Sequence, residues 1–181
     1  GDLILCRTTA PLVKAAFEAL RAGVPAKIRG RDIASGLKTI IEKVTQRGFN
    51  ARTFGAQLDA YHETQSAKIL AKHKGDHEAA AMERENLADR VAVIATVFAE
   101  SGAQRAEDLH AALDRLFSDT DDASVATFSS VHRAKGLEAE RVQVVGRDLL
   151  PHPRAERPDD VIQERNAEFV ALTRSKSELY F

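Results

Sequence analysis

Asp2-Leu3-Ile4-Leu5-Cys6 is a short apolar run, and Arg7-Thr8-Thr9-Ala10-Pro11 follows it at once. A run of that length predicts a buried strand. The residues after it read as a helix start. Thr9 is the expected N-cap, and Pro11 is tolerated in a first turn because the amide it lacks has no partner there. Leu12, Val13, Ala16, Phe17 and Leu20 then mark one helical face. Gly23 closes the helix and Pro25 forbids its continuation. Ala26 to Arg29 fits a second short strand. Strand, helix and strand within about thirty residues is the rhythm of an α/β unit with a parallel sheet.

Outward from that unit the pattern changes. From Leu37 to Asp122 the periodicity is helical throughout: Leu37, Ile40, Ile41 and Val44 share a face, as do Leu87, Val91, Ile94 and Phe98, and then Leu109, Leu113, Leu116 and Phe117. This stretch holds 11 Lys and Arg against 15 Asp and Glu, while the two ends are mildly basic. After the acidic turn Ser118-Asp119-Thr120-Asp121-Asp122, strand signals return at Val125–Phe128 and Arg141–Val145. Pro151 and Pro153 bracket an irregular link. Pro158 opens a helix through Leu172, and Leu179-Tyr180-Phe181 reads as a strand cut short, which suggests a fragment of something longer. The expectation is an α/β domain built from residues 1–36 and 123–181, interrupted by an all-helical insertion at 37–122.

Composition narrows the function. With 44% apolar and 29% charged residues, the chain has the make-up of an ordinary globular protein. A net charge of −1 excludes a uniformly basic nucleic-acid binder, although not a local basic surface. Cys6 stands alone, which excludes a disulfide framework and a Cys-rich zinc module and fits a reducing cytosol. No apolar run approaches the ~18–20 residues of a membrane span, so a cytoplasmic protein with no membrane partner is expected.

Two segments carry chemistry. Ser129-Ser130-Val131-His132-Arg133-Ala134-Lys135-Gly136-Leu137-Glu138 links two expected strands. Its hydroxyls, His132, Arg133 and Lys135 suit phosphate contacts, Gly136 lets the main chain approach a ligand, and Glu138 suits a ribose. On spacing alone, a charged surface loop with a turn glycine reads equally well. In the second segment, Val170-Ala171-Leu172-Thr173-Arg174-Ser175-Lys176, a helix delivers the fixed guanidinium of Arg174 at its C-terminal end. An arginine there also simply favours the helix dipole. Other features carry less. Gly30 to Thr39 has five residues between its glycines and Leu37 before Lys38, so it is not a phosphate-binding Walker loop. His73 and His77 are four apart, but Gly75 intervenes and no third ligand follows in register, so no metal site is expected. The Asp119–Asp122 cluster reads as a solvated turn, and Phe49, Phe54, Phe98 and Phe117 as core.

Taken together, the segments resemble a known family. Ser130-Val131-His132-Arg133-Ala134-Lys135-Gly136-Leu137-Glu138 is similar to motif V of UvrD/Rep-type superfamily 1 helicases, and Gln163-Glu164-Arg165-Asn166 with Phe169 to Lys176 is similar to their motif VI. Ile4-Leu5-Cys6-Arg7-Thr8-Thr9-Ala10 resembles the strand and loop that open the family's second motor domain. The resemblance covers residues 1–36 and 123–181, and the helical middle sits where the family inserts an accessory subdomain. It implies a RecA-like fold and the C-terminal half of an ATP-dependent DNA helicase. The Walker A loop and Mg²⁺-binding acidic motif would lie upstream, so ATP with Mg²⁺ would be held mainly by an N-terminal motor domain of the same chain. Arg174 would be the arginine finger. Lys135, Gly136 and Glu138 would contact the nucleotide, and Arg7, Thr8, Thr9, His132 and Arg133 the single-stranded DNA. Thr9 departs from the family's usual Asn, and Ser129 and Ser130 from its usual Ser-Thr or Thr-Leu. Alone, such a fragment is expected to be inactive as an ATPase. The competing reading is a degenerate, non-catalytic module that binds nucleic acid or protein, with the acidic insertion receiving a protein partner.

Overall fold

The computed structural model describes every residue except 120, 121, 123, 153, 154 and 156. Part of the expected acidic turn and Pro153 therefore lie outside the described residues. Among the described residues, five strands and six α-helices follow one another: β1 (Leu3–Cys6), α1 (Thr9–Arg21), β2 (Ala26–Ile28), α2 (Arg31–Val44), α3 (Phe54–Lys72), α4 (His77–Ser101), α5 (Ala106–Leu116), β3 (Ala126–Ser130), β4 (Ala139–Val144), α6 (Pro158–Leu172) and β5 (Ser175–Tyr180). The strands form one all-parallel sheet in the order β2-β3-β1-β4-β5. The α/β class expected from the sequence is the one observed.

The first strand is central. β3 and β4, far away in sequence, pair with its two sides, with Cys6 level with Ser130 and Leu5 level with Val144. All four residues of β1 are buried, as a parallel strand covered on both faces requires. Leu3 and Leu5 cluster with Val142, Val144, Ala167 and Ala171, which puts α6 on one face. Strand alternation turns Ile4 and Cys6 to the other face, where α1 lies along β1, β2 and β3. Its inward residues are Leu12, Val13 and Ala16, whereas Leu20 is exposed. Thr8, one residue earlier than expected, occupies the N-cap in extended conformation. The helix ends as a Schellman turn: Gly23 at φ +77°, its amide on the Leu20 carbonyl, and the Val24 amide on Ala19.

The chain divides into two compact units, Gly1–Arg31 with Arg115–Phe181, and Asp32–Asp114. In the second, all described regular structure is helical. α3 and α4 pack against each other, and Phe54 is fully buried between Phe49 and Phe98, with ring centroids 5.1 and 4.9 Å away. These rings are core, as their spacing predicts. Asp76 caps α4 by accepting from the Ala79 amide at 3.0 Å, and Gly102 ends it in the left-handed conformation. Leu116 and Phe117 fall in the first unit, where Phe117 bridges to Ile28 at the β2 edge. Among the described residues, no helix is long and apolar enough to cross a membrane.

Candidate functional site

The parallel register sorts the candidate residues onto two opposite edges of the sheet. Arg7, Thr8 and Thr9 leave the C-terminal end of β1, and Val131, His132 and Arg133 leave the C-terminal end of β3. Because Cys6 pairs with Ser130, these two loops emerge side by side. Glu138 and Arg174 instead precede β4 and β5, at the N-terminal edge, where Ala139 pairs with Ser175. A segment read as one loop is therefore a crossover that runs the length of a strand, about 17 Å at 3.3 Å per residue.

The crossover passes over β1, since β3 and β4 flank that strand. Residues Val131–Ala134 form a 3₁₀ turn whose first and last members, Val131 and Ala134, are 1% and 0% exposed and join the cluster under α6. A three-residue period puts those two on one side, and leaves His132, Arg133, Lys135 and Gly136 exposed. Gly136 takes φ +86°, a conformation that side chains disfavour, and turns the chain back toward β4. The apolar residues of this motif are thus read by the core and its polar residues by solvent.

At the N-terminal edge, Arg174 lies folded against its surroundings. Its Nε donates to the Val170 carbonyl at 3.0 Å, Nη2 to Thr173 Oγ1 at 3.0 Å, and Nη1 to the Leu137 carbonyl at 3.5 Å. The Ala139 amide donates to the Arg174 carbonyl at 3.1 Å. These bonds bring the end of α6 and the end of the crossover together, so Arg174, Gly136 and Glu138 share one edge. Glu138 is exposed, with Lys176 Nζ at 3.7 Å. It also lines a cleft of about 350 Å³ together with Asp2, Lys27, Arg29 and Thr127.

At the C-terminal edge the decisive contact is one that the sequence did not reveal. Arg7 grips Glu164 of α6 through two atoms: Nε donates to Oε1 and Oε2 at 3.0 and 2.9 Å, and Nη2 to Oε1 at 2.7 Å. Glu164 is 7% exposed and also accepts from the His152 amide at 3.0 Å. Burial alone raises its carboxyl pKa, but the hydrogen bonds from Arg7 and His152 and the Arg7 charge overcome this and hold it below the usual carboxylate range. Although His132 is exposed as a residue, desolvation of its ring and then the Arg7 charge push the imidazole below its usual range, against the pull of Glu164. Arg7 and Glu164 are 157 positions apart in sequence, so no local pattern links them.

Among the described residues, no three His, Cys, Asp or Glu side chains gather as a metal site. His73 faces Glu83 at 2.5 Å. The near-Walker stretch is the start of α2, and its leading amides, those of Gly30 and Arg31, donate to the Asp119 carboxylate at 2.8 and 3.2 Å.

A five-stranded, all-parallel sheet with helices packed on it is consistent with a RecA-like fold. The family model for the UvrD-like helicase C-terminal domain matches residues 32–181, and the chain belongs to that family. No curated protein matches the chain.

Proposed function

We propose that this domain is the second motor half of an ATP-dependent DNA helicase or translocase. It would work against a first motor domain that brings the Walker A loop and the Mg²⁺-binding carboxylates. On this reading ATP binds between the halves. Arg174 exchanges the Val170 and Leu137 carbonyls for the γ-phosphate, a stronger, charged acceptor. Glu138 meets the ribose, with Lys135 and Gly136 on the same side. Single-stranded DNA runs along the other edge, its backbone held by Arg7, Thr8, Thr9, His132 and Arg133. Supporting this is the meeting of Arg174 with the Gly136–Glu138 turn at one sheet edge, in a domain of a helicase family.

The test is hydrolysis by the full-length protein with and without single-stranded DNA, beside this domain alone. DNA-stimulated turnover is expected from the first and none from the second. Arg174→Ala should leave ATP binding largely intact and lower turnover by ~10³–10⁵, the usual worth of an arginine finger. Normal turnover in that variant removes the assignment. No hydrolysis by the full-length protein, with or without DNA, points instead to a non-catalytic nucleic-acid- or protein-binding module.

A further inference from the structure

α6 runs opposite to the strands. Its first half meets the C-terminal edge through Glu164, and it delivers Arg174 to the N-terminal edge ten residues later, about 15 Å away at 1.5 Å per residue. What it lays on the sheet is small: Ala167 and Ala171 are its buried apolar contacts with Leu3, Leu5, Val142 and Val144. Such packing is non-directional. The bidentate pair is different, because a guanidinium fork and a carboxylate match in one orientation. It ties the seventh residue of the helix to the loop that begins at Arg7. Another ion pair of α6, Arg147 with Glu168, is more exposed than the Arg7–Glu164 pair.

We propose that Glu164 is a positioning residue that couples the two edges: through Arg7 it fixes α6, and with it Arg174, to the loop carrying Thr8 and Thr9. This rests on the proposed function. A shift of that loop when DNA binds then moves a stiff helix as a unit, and the far end of the helix is where the nucleotide would sit. By reciprocity, nucleotide binding at Arg174 alters DNA affinity by the same factor.

The affinity of the full-length protein for a fluorescent oligothymidine is measured with and without a non-hydrolysable ATP analogue. The ratio of the two dissociation constants is the coupling. The unaltered protein should give a ratio of about 5–150 in either direction, the usual span of allosteric coupling. Glu164→Gln keeps the shape but loses the charge, and should bring the ratio to within about twofold of one, with the analogue still bound. Glu168→Gln should leave it unchanged. A Glu164→Gln protein with the unaltered ratio overturns the coupling role while leaving the proposed function standing. A ratio of one in the unaltered protein overturns both. Should Glu164→Gln melt below the assay temperature, Glu164→Asp replaces it, keeping the charge and drawing the carboxylate back by one methylene. A collapsed ratio then supports the link, and an unaltered one overturns it.

Discussion

Glu164 is a carboxylate where carboxylates are costly, with 9% of its side chain exposed against 23% for Arg7. A buried charge persists only if it is paired and hydrogen-bonded, and here three donors converge on it. Glu164→Ala removes the bidentate acceptor of a largely buried guanidinium and should lower stability by about 2–3 kcal/mol, read from denaturant melts. The pH dependence has a definite sign. The folded pKa of Glu164 is lowered, so the pair's contribution is complete above the ordinary glutamate value of about 4.3 and is lost as pH falls through the folded value. Below the ordinary value, the stability of the unaltered domain should fall toward that of Glu164→Gln. A constant gap between them down to pH 3 would contradict this. At the other end of α6, Arg174 was legible in the sequence as a helix-end arginine, but its carbonyl partners were not.

At the scale of elements, α6 and the β3–β4 crossover depend on small residues. Ala134 and Ala171 are 0% exposed and lie in the layer between helix and sheet. Ala171→Leu adds three carbons where none fit and should destabilise the domain by about 1–3 kcal/mol through overpacking. A melting temperature equal to that of the parent protein would show that α6 can lift from the sheet without cost. Gly146 is a second tight place. It takes φ +63°, and an added Cβ would stand 3.2 Å from Cys6 Sγ and 3.3 Å from Leu149 Cδ1. The helical periodicities at Leu37–Val44 and Leu109–Leu116 were readable because one face is buried. In α4, Ile94 of the Leu87–Phe98 series is buried together with Val93 and Val97, while Leu87, Val91 and Phe98 are half-buried, because both sides of that long helix mix apolar and polar residues.

Across the whole molecule, charge sets what the proposed binding of nucleic acid should look like. The net charge of −1 gives no long-range attraction. At the edge proposed to carry DNA, Arg7 is engaged by Glu164, and desolvation and the Arg7 charge disfavour protonation of His132. Binding of single-stranded DNA by the isolated domain should therefore be weak. The slope of log Kd against log salt should be shallow, about 1, since single strands release roughly 0.7 counterion per phosphate contacted. A titration of fluorescent oligothymidine from low to moderate salt measures it, and a slope above about 3 would mean a far more extensive cationic track.

By itself the sequence determined the class of fold and the family. Apolar runs, the helix start after Cys6 and the ordered motifs at 130–138 and 163–176 are local patterns, and local patterns survive translation into strands, turns and helices. What it did not determine was sorting. Residues 129–138 read as one loop, yet the parallel register sends His132 and Arg133 to one edge and Glu138 to the other, because a chain joining parallel strands must cross the sheet. Nor could it show that Arg7 and Glu164 meet. That contact exists because β1 takes the centre of the sheet and α6 lies over it, a placement settled by burying Leu3, Leu5, Ala167 and Ala171 together. Burial of apolar area is non-directional and carries no mark of its partner in the sequence, so only the folded chain decides which distant charges come face to face.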